Sequence, residues 1–264
     1  MSRAAPVPRP SASVILVRDD PAGLETFMVR RHAGSAVAPG AYVFPGGTVR
    51  PDDGPPLGSD PELLAEQLRA RSDVPVDSGA LAASLYAAAV RELFEEAGVL
   101  LAHDAAARLV AVDEQDVARQ ERLAAARLAL QARQLTLADV LAECGWTAAV
   151  ERLIAFSHWV TPSVMAARFD TWFFVAEMPA RQAALHCTIE TSEGIWIRPT
   201  DLLAGQYATV YATQQHLRRI APFAHVAELV EFARSKPIRC VQPRVIEQAG
   251  GLHVELPPGL DTTW

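Results

Sequence analysis

The chain has 264 residues, half of them hydrophobic, with a formal net charge of −7 at pH 7. That length allows one large domain or two small ones, and the apolar content supports a substantial core. The acidic balance argues against non-specific nucleic-acid binding, and an anionic ligand needs local positive charge or a cation to enter. The first ten residues, with Pro6, Pro8 and Pro10, lack the apolar stretch of a signal peptide and read as a short disordered lead. Residues 13–17 (SVILV) read as a buried strand. Residues 25–30 are its hairpin partner across the turn signal Asp20-Pro21-Ala22-Gly23. A third short strand, 41–44, ends at Gly46-Gly47. Residues 50–78 are rich in Pro, Asp and Gly, with a short helix over 62–70, and a longer helix spans 80–97. The Ala-, Leu-, Gln- and Arg-rich stretch 104–145 predicts two or three helices, with Thr136 as an N-cap. Strands at 156–160, 169–176 and 190–197, a helix starting at 199 and an amphipathic helix over 226–233 complete the pattern. Strands and helices interleave, which predicts an α/β fold with a mixed central sheet. No apolar run approaches the length that spans a bilayer, and the final Asp261-Thr262-Thr263-Trp264 is not a peroxisomal address. Cys144, Cys187 and Cys240 have neither zinc-type nor redox-type spacing and fit buried thiols in a reducing cytoplasm.

The most informative run is Arg91-Glu92-Leu93-Phe94-Glu95-Glu96-Ala97-Gly98-Val99. At about 100° per residue, Glu92, Glu95 and Glu96 share one helix face, while Tyr86, Val90, Leu93, Phe94 and Ala97 share the other. Like charges at this spacing cost a few tenths of a kcal/mol per pair. They also precede Gly98, a C′ glycine, where the helix dipole disfavours negative charge. A local rule broken in this way points to a functional site. A hard divalent cation, which takes oxygen ligands, removes the repulsion; a solvated acidic face is the alternative.

With Phe44-Pro45-Gly46-Gly47 upstream, this run resembles the signature of the Nudix hydrolase superfamily, G-x5-E-x7-R-E-U-x-E-E-x-G-U, where U is a bulky aliphatic residue. The second half matches at every specified position from Arg91 to Val99. In the first half, Gly47 is followed by five residues and then Asp53 rather than Glu, and about thirty extra residues precede the helix. The 39–47 segment, the insertion inside the box, Trp159-Val160-Thr161-Pro162 and the 167–174 run resemble the branch of the peroxisomal coenzyme A diphosphohydrolase and its bacterial relatives. Of that branch's upstream motif, R-[SA]-x3-R-x3-G-x3-F-P-G-G, Arg31 and the 40–47 portion match, with His32 at the Ser/Ala position and Ala36 in place of the second Arg.

The resemblance implies a Nudix-type α/β/α sandwich forming a single domain over 1–264, with a box insertion at about 50–79 and a helical insertion at about 104–152. It implies Mg²⁺- or Mn²⁺-dependent hydrolysis of a nucleoside diphosphate linked to another moiety, foremost a coenzyme A-like diphosphate. ADP-ribose, NADH and other dinucleotides stay open, as does a non-catalytic nucleotide-binding regulator. Metal ligands would be Glu92, Glu95 and Glu96 with the Gly47 carbonyl. Glu95, Glu96 and Arg91 are the expected catalytic residues, Arg91 by orienting a glutamate, and Arg31 and Arg168 the expected substrate contacts. Ala88 and Ala89, on the glutamate face, would leave room for phosphates. The general base is either a box glutamate or one of Glu190 and Glu193, while His32, His158 and His186 read as isolated. The expected partner is a small molecule, with neither nucleic acid nor membrane, in the cytoplasm; a homodimer is open. The box insertion is expected as a surface excursion, and Glu95→Gln or Glu96→Gln as neutral or slightly stabilising to the fold.

Overall fold

The computed structural model describes residues 5–55, 58–112, 115–186, 191–248, 251–260 and 264, so that Cys187, Glu190 and the 261–263 stretch discussed above lie outside it. The strand β1 (Arg9–Asp20) turns at Gly23 into the antiparallel β2 (Gly23–Arg31), with Val17 opposite Thr26. There follow β3 (Tyr42–Val43), β4 (Gly46–Thr48), α1 (Pro61–Arg69), α2 (Gly79–Ala97), β5 (Ala102–His103), α3 (Val117–Gln131), α4 (Leu137–Cys144) and β6 (Thr147–Ala148). The second half holds β7 (Ile154–Val160), β8 (Phe169–Glu177), β9 (Thr191–Ile197), α5 (Pro199–Ala204), α6 (Tyr211–Ile220), α7 (Val226–Ser235), β10 (Cys240–Val241) and the hairpin β11 (Arg244–Gln248) with β12 (Gly251–Glu255).

The main sheet runs β10-β7-β8-β1-β2-β3, with β4 on β1 and β9 on β2. It is mixed: β1 pairs in parallel with β8 and antiparallel with β2 and β4. Side chains alternate across a strand, and both faces of this sheet are apolar. Ala12, Val14 and Leu16 of β1 face one cluster with Trp172, Phe174 and α2. Ile15 and Val17 face a second cluster, with Phe173, Leu217 of α6 and Leu229 of α7. This is the expected sandwich of helices on both faces of a mixed sheet.

The helix α2 carries the charged run, and sixteen of its nineteen residues are buried. The sheet covers one side, where the Tyr86 ring lies 4.9 Å from that of Phe174. A second side is covered by α1, whose Leu64, Ala65 and Leu68 join the same core cluster. That short helix forms because Pro61 stands at its first position and the Asp60 side chain accepts from the Glu62 and Leu63 N–H groups. The Glu62 carboxylate then accepts from the N–H of Gly79, pinning α1 to the start of α2. The α1 segment of the box insertion thus lies as a layer over α2 and returns at the start of that helix, with Leu64, Ala65 and Leu68 on its inward stripe.

Between β7 and α6 lies a buried polar pair. Ser157 sits 2.6 Å from His216 Nε2, and His216 Nδ1 lies 2.7 Å from the Ala212 carbonyl. A carbonyl only accepts, so Nδ1 carries the proton and Nε2 accepts from the serine hydroxyl. Burial among Phe173, Trp159 and Trp264 holds the imidazole pKa down to about 3. The unfolded chain, with a pKa near 6.5, binds a proton there that the folded chain refuses, so stability is present above 6.5 and is lost as pH falls toward 3. Between pH 7 and pH 4.5 this one group should remove about 2–3 kcal/mol of stability. Urea unfolding of wild type and His216→Gln at both pH values measures it: the gap between them should narrow at pH 4.5, and a gap independent of pH would contradict the assignment.

Candidate active site

The site forms where β4 meets the C-terminal half of α2. Gly46 and Gly47 pair with Ser13 and Ala12 on β1, which brings the strand end under the helix. Gly46 is required by its close approach to the β1 backbone, and Gly47 lies against the Glu92 carboxylate. A Cβ on Gly46 would lie 2.6 Å from the Ala12 carbonyl oxygen, and one on Gly47 would lie 2.2 Å from Glu92 Oε1. The Gly46 N–H donates to Glu96 Oε2 at 2.9 Å. Two of the three glutamates thus face the Gly-Gly segment.

Arg91 organises the rest. Its guanidinium grips Asp53 with both prongs, Nε to Oδ1 at 2.7 Å and Nη2 to Oδ2 at 2.8 Å. Nη1 donates to Glu92 Oε1 at 2.7 Å and reaches Glu95 Oε2 at 3.4 Å, while Nη2 also donates to the Thr48 carbonyl at 3.0 Å. The side chains of Arg91, Asp53 and Glu95 are all at most 2% exposed. Asp53 is delivered by a tight turn in which its N–H donates to the Arg50 carbonyl and its carboxylate accepts from the Arg50 N–H at 2.7 Å. The residue that departs from the signature therefore sits on the signature arginine, 38 positions away in sequence.

Glu95 has a second partner that the sequence reading missed. Arg50 donates Nη1 to Oε1 at 2.7 Å and Nη2 to Oε2 at 2.8 Å, a bidentate pair almost out of solvent. The only sequence signal for it was a cation inside the spacer between Gly47 and Asp53. The backbone end of α2 is closed by α3, whose Arg127 and Gln131 donate to the Glu95 carbonyl, and Gly98 turns the chain away at φ 69°. The charge run is thus neither a solvated face nor an open cage. Among the described residues, no three His, Cys, Asp or Glu side chains are grouped so as to hold a metal ion as they stand.

The electrostatics follow from burial. Loss of solvent pushes the Glu92 carboxyl up to about 7; the Arg91 charge opposes that shift and the Glu95 charge adds to it. Asp53, Glu92 and Glu95 bond the guanidiniums of Arg91 and Arg50, and Glu96 accepts from the Gly46 N–H. An all-oxygen donor set with surplus negative charge fits a hard divalent cation. Two expectations change. Ala88 and Ala89 are fully buried in the core and line no phosphate cleft. Glu95→Gln would strip a buried guanidinium of its partner rather than relieve repulsion.

Other residues singled out by sequence lie away from this cluster's bonds. Arg31 is half-buried on β2, donating to the Val37 carbonyl. Arg168 donates to the carbonyls of Thr161 and Pro6. Glu193 accepts from the Tyr42 hydroxyl at 2.5 Å and lies 3.8 Å from Arg30. His158 is not isolated: it bonds Asp170 and stacks on Trp172, and the Asp170 carboxylate helps raise its pKa to about 9 against the opposing effect of burial. A cleft of about 690 Å³ lies by α7, with Asp19, Glu177, Glu231 and Arg234 in its wall and no residue of the charged run.

Comparison with known proteins places this geometry. The family model described as the NUDT19 Nudix domain matches residues 54–211, more than half of the chain. The match begins one residue after Asp53, so Gly46, Gly47, Arg50 and Asp53 join the site through the fold. Among curated relatives, the acyl-coenzyme A diphosphatase NUDT19 of Xenopus laevis is 28% identical over 210 residues, covering 68% of this chain and 54% of that protein. The chain spans about half the length of the curated relatives it matches. Among solved structures, a Nudix hydrolase from Alicyclobacillus acidocaldarius superposes with a TM-score of 0.64 at 22% identity, covering 88% of this chain and 97% of that one. That likeness shows the fold. The chain therefore belongs to the Nudix family, in the branch represented by the NUDT19 Nudix domain.

Proposed function

We propose that the chain is a divalent-metal-dependent diphosphohydrolase that splits a nucleoside diphosphate linked to another moiety, with a coenzyme A-like diphosphate as its substrate class. The observation that carries the reading is the gathering of the buried Glu92, Glu95 and Glu96 carboxylates where α2 meets Gly46-Gly47, an all-oxygen donor set that suits a hard divalent cation. The substrate class rests on the acyl-coenzyme A diphosphatase among the relatives and on the 40–47 segment. Glu92, Glu95, Glu96 and the Gly47 carbonyl would hold Mg²⁺ or Mn²⁺. A cation there supplies charge neutralisation for the diphosphate oxygens and activation of water. The protein supplies orientation. Arg91 holds the Glu92 carboxylate, its own position fixed by the two-pronged grip on Asp53. The Gly46 N–H holds Glu96. Arg31 and Arg168 are proposed as substrate contacts, and the reaction adds water across the phosphorus–oxygen–phosphorus bridge to give two monophosphate-bearing products. The working setting is a small-molecule substrate in the cytoplasm. No helix among the described residues is long and apolar enough to cross a membrane.

The test is a Mg²⁺-dependent turnover screen against coenzyme A, acyl-coenzyme A, ADP-ribose, NADH and diadenosine polyphosphates, with products identified by mass. Cleavage of coenzyme A or its acyl form at the diphosphate is the expected result. Turnover of ADP-ribose or NADH alone would replace the substrate class, and no metal-dependent turnover of any compound would overturn the catalytic reading.

Glu95→Gln and Glu96→Gln should both lose most turnover yet differ in stability. Breaking a buried ion pair from one side costs about 3 kcal/mol or more, so metal-free Glu95→Gln should unfold at distinctly lower urea. Glu96→Gln keeps an amide oxygen to accept from Gly46, and its change should stay within about 1 kcal/mol. Equal stabilities of the two variants would contradict the assigned pairing.

A further inference from the structure

Arg50 does something that the rest of the cluster does not explain. Both oxygens of Glu95 are occupied by its guanidinium, at 2.7 and 2.8 Å. The backbone of Arg50 is fixed separately, by its N–H bond to Asp53 Oδ2 and by the Asp53 N–H on its carbonyl. The side chain is therefore a lever on an anchored pivot, with 11% of its surface still open to solvent. A second acceptor is within reach: Nη1 lies 3.5 Å from the Leu130 carbonyl at the end of α3. A guanidinium is permanently charged and only donates. It and a divalent cation seek the same carboxylate lone pairs: the two-pronged grip takes the inner lone pair of each oxygen, and Arg91 Nη1 also reaches Oε2 at 3.4 Å.

We propose that Arg50 is a resident counter-ion for Glu95 which a divalent cation displaces, so that metal binding at Glu95 and release of the Arg50 side chain are a single exchange. The inference rests on the metal-dependent reading above and deepens it. It accounts for the lack of an open three-carboxylate cage among the described residues: the arginine holds the place that the cation takes. It also gives the displaced side chain a second use. A planar donor fork freed beside the cation suits the bidentate recognition of a phosphate oxygen pair. Cation and diphosphate should then each favour the Arg50-released state, and so each other.

The test is Mn²⁺ binding to the substrate-free protein, read from the free-ion electron paramagnetic resonance signal. It compares wild type, Arg50→Gln, Arg50→Lys and a Glu92→Gln, Glu96→Gln double variant. Removing the competitor should tighten Mn²⁺ binding in Arg50→Gln by roughly tenfold, equivalent to about 1.4 kcal/mol. Arg50→Lys keeps a charge near Glu95 but not the two-pronged grip; it should shift the same way by a smaller factor, and it guards against poor folding of the glutamine variant. A residue that merely shapes the site would weaken binding when replaced. Wild-type binding that depends on Glu92 and Glu96 but is unchanged or weaker in both Arg50 variants would overturn the exchange while leaving the metal reading intact. Absence of Mn²⁺ binding in wild type and Arg50 variants alike would remove both.

Discussion

The salt bridge between Arg91 and Asp53 is the interaction on which the site depends. Two oppositely charged groups taken out of water repay their desolvation only when geometry is excellent and the remaining donors are satisfied. Here the guanidinium meets Asp53 with two parallel bonds and spends its other donors on Glu92, Glu95 and the Thr48 carbonyl. That one side chain ties α2 to β4 and to the turn that opens the box insertion. Without it, Glu92 would lose the guanidinium that its carboxylate bonds directly. Aspartate is shorter than the glutamate of the family signature, and the turn at 50–53 makes up the difference by bringing its carboxylate onto the arginine.

The two insertions change what the helix experiences. The segment carrying α1 lays Leu64 and Leu68 over α2, and α3 seals its C-terminal end with Arg127 and Gln131. Each layer removes water from the charged run. In a lower effective dielectric, paired charges attract more strongly and unpaired ones cost more. The same enclosure that raises the Glu92 pKa therefore makes the arginine pairings strong, and makes a further cation more valuable. Fold stability and site chemistry are coupled through burial here, not through a pre-formed pocket.

Much of the fold was legible because it rests on local signals. The apolar run Val14-Ile15-Leu16-Val17, the turn at Gly23, the N-cap at Thr136 and the glycine at 98 each mark an element that the structure contains. The helix α6 was not foreseen, since it shows only Leu217 and Ile220 as strong apolar markers amid Gln, His and Arg. Its burial comes from partners far along the chain, such as Ser157. The site divides in the same way. The shared face of the three glutamates could be read from helical spacing, and Arg91 and the two glycines from the resemblance to the Nudix signature. Their environment could not: a face with three like charges reads as solvent-exposed, and what buries it is α1, α3 and two arginine clamps set by tertiary contact. Arg50 carries no local signal beyond its charge, and Asp53 looked like a departure until the turn placed it.

A double-mutant cycle on Asp53 and Arg91 tests the central claim most directly, using Asp53→Asn, Arg91→Met and the combination, with unfolding free energies measured in urea without metal. If the pair organises the site, each single change strands its partner, and the double variant should recover about 2–3 kcal/mol relative to the sum of the singles. Additivity to within about 0.5 kcal/mol would mean that the two residues are independent, and that the split signature is not closed by this bond.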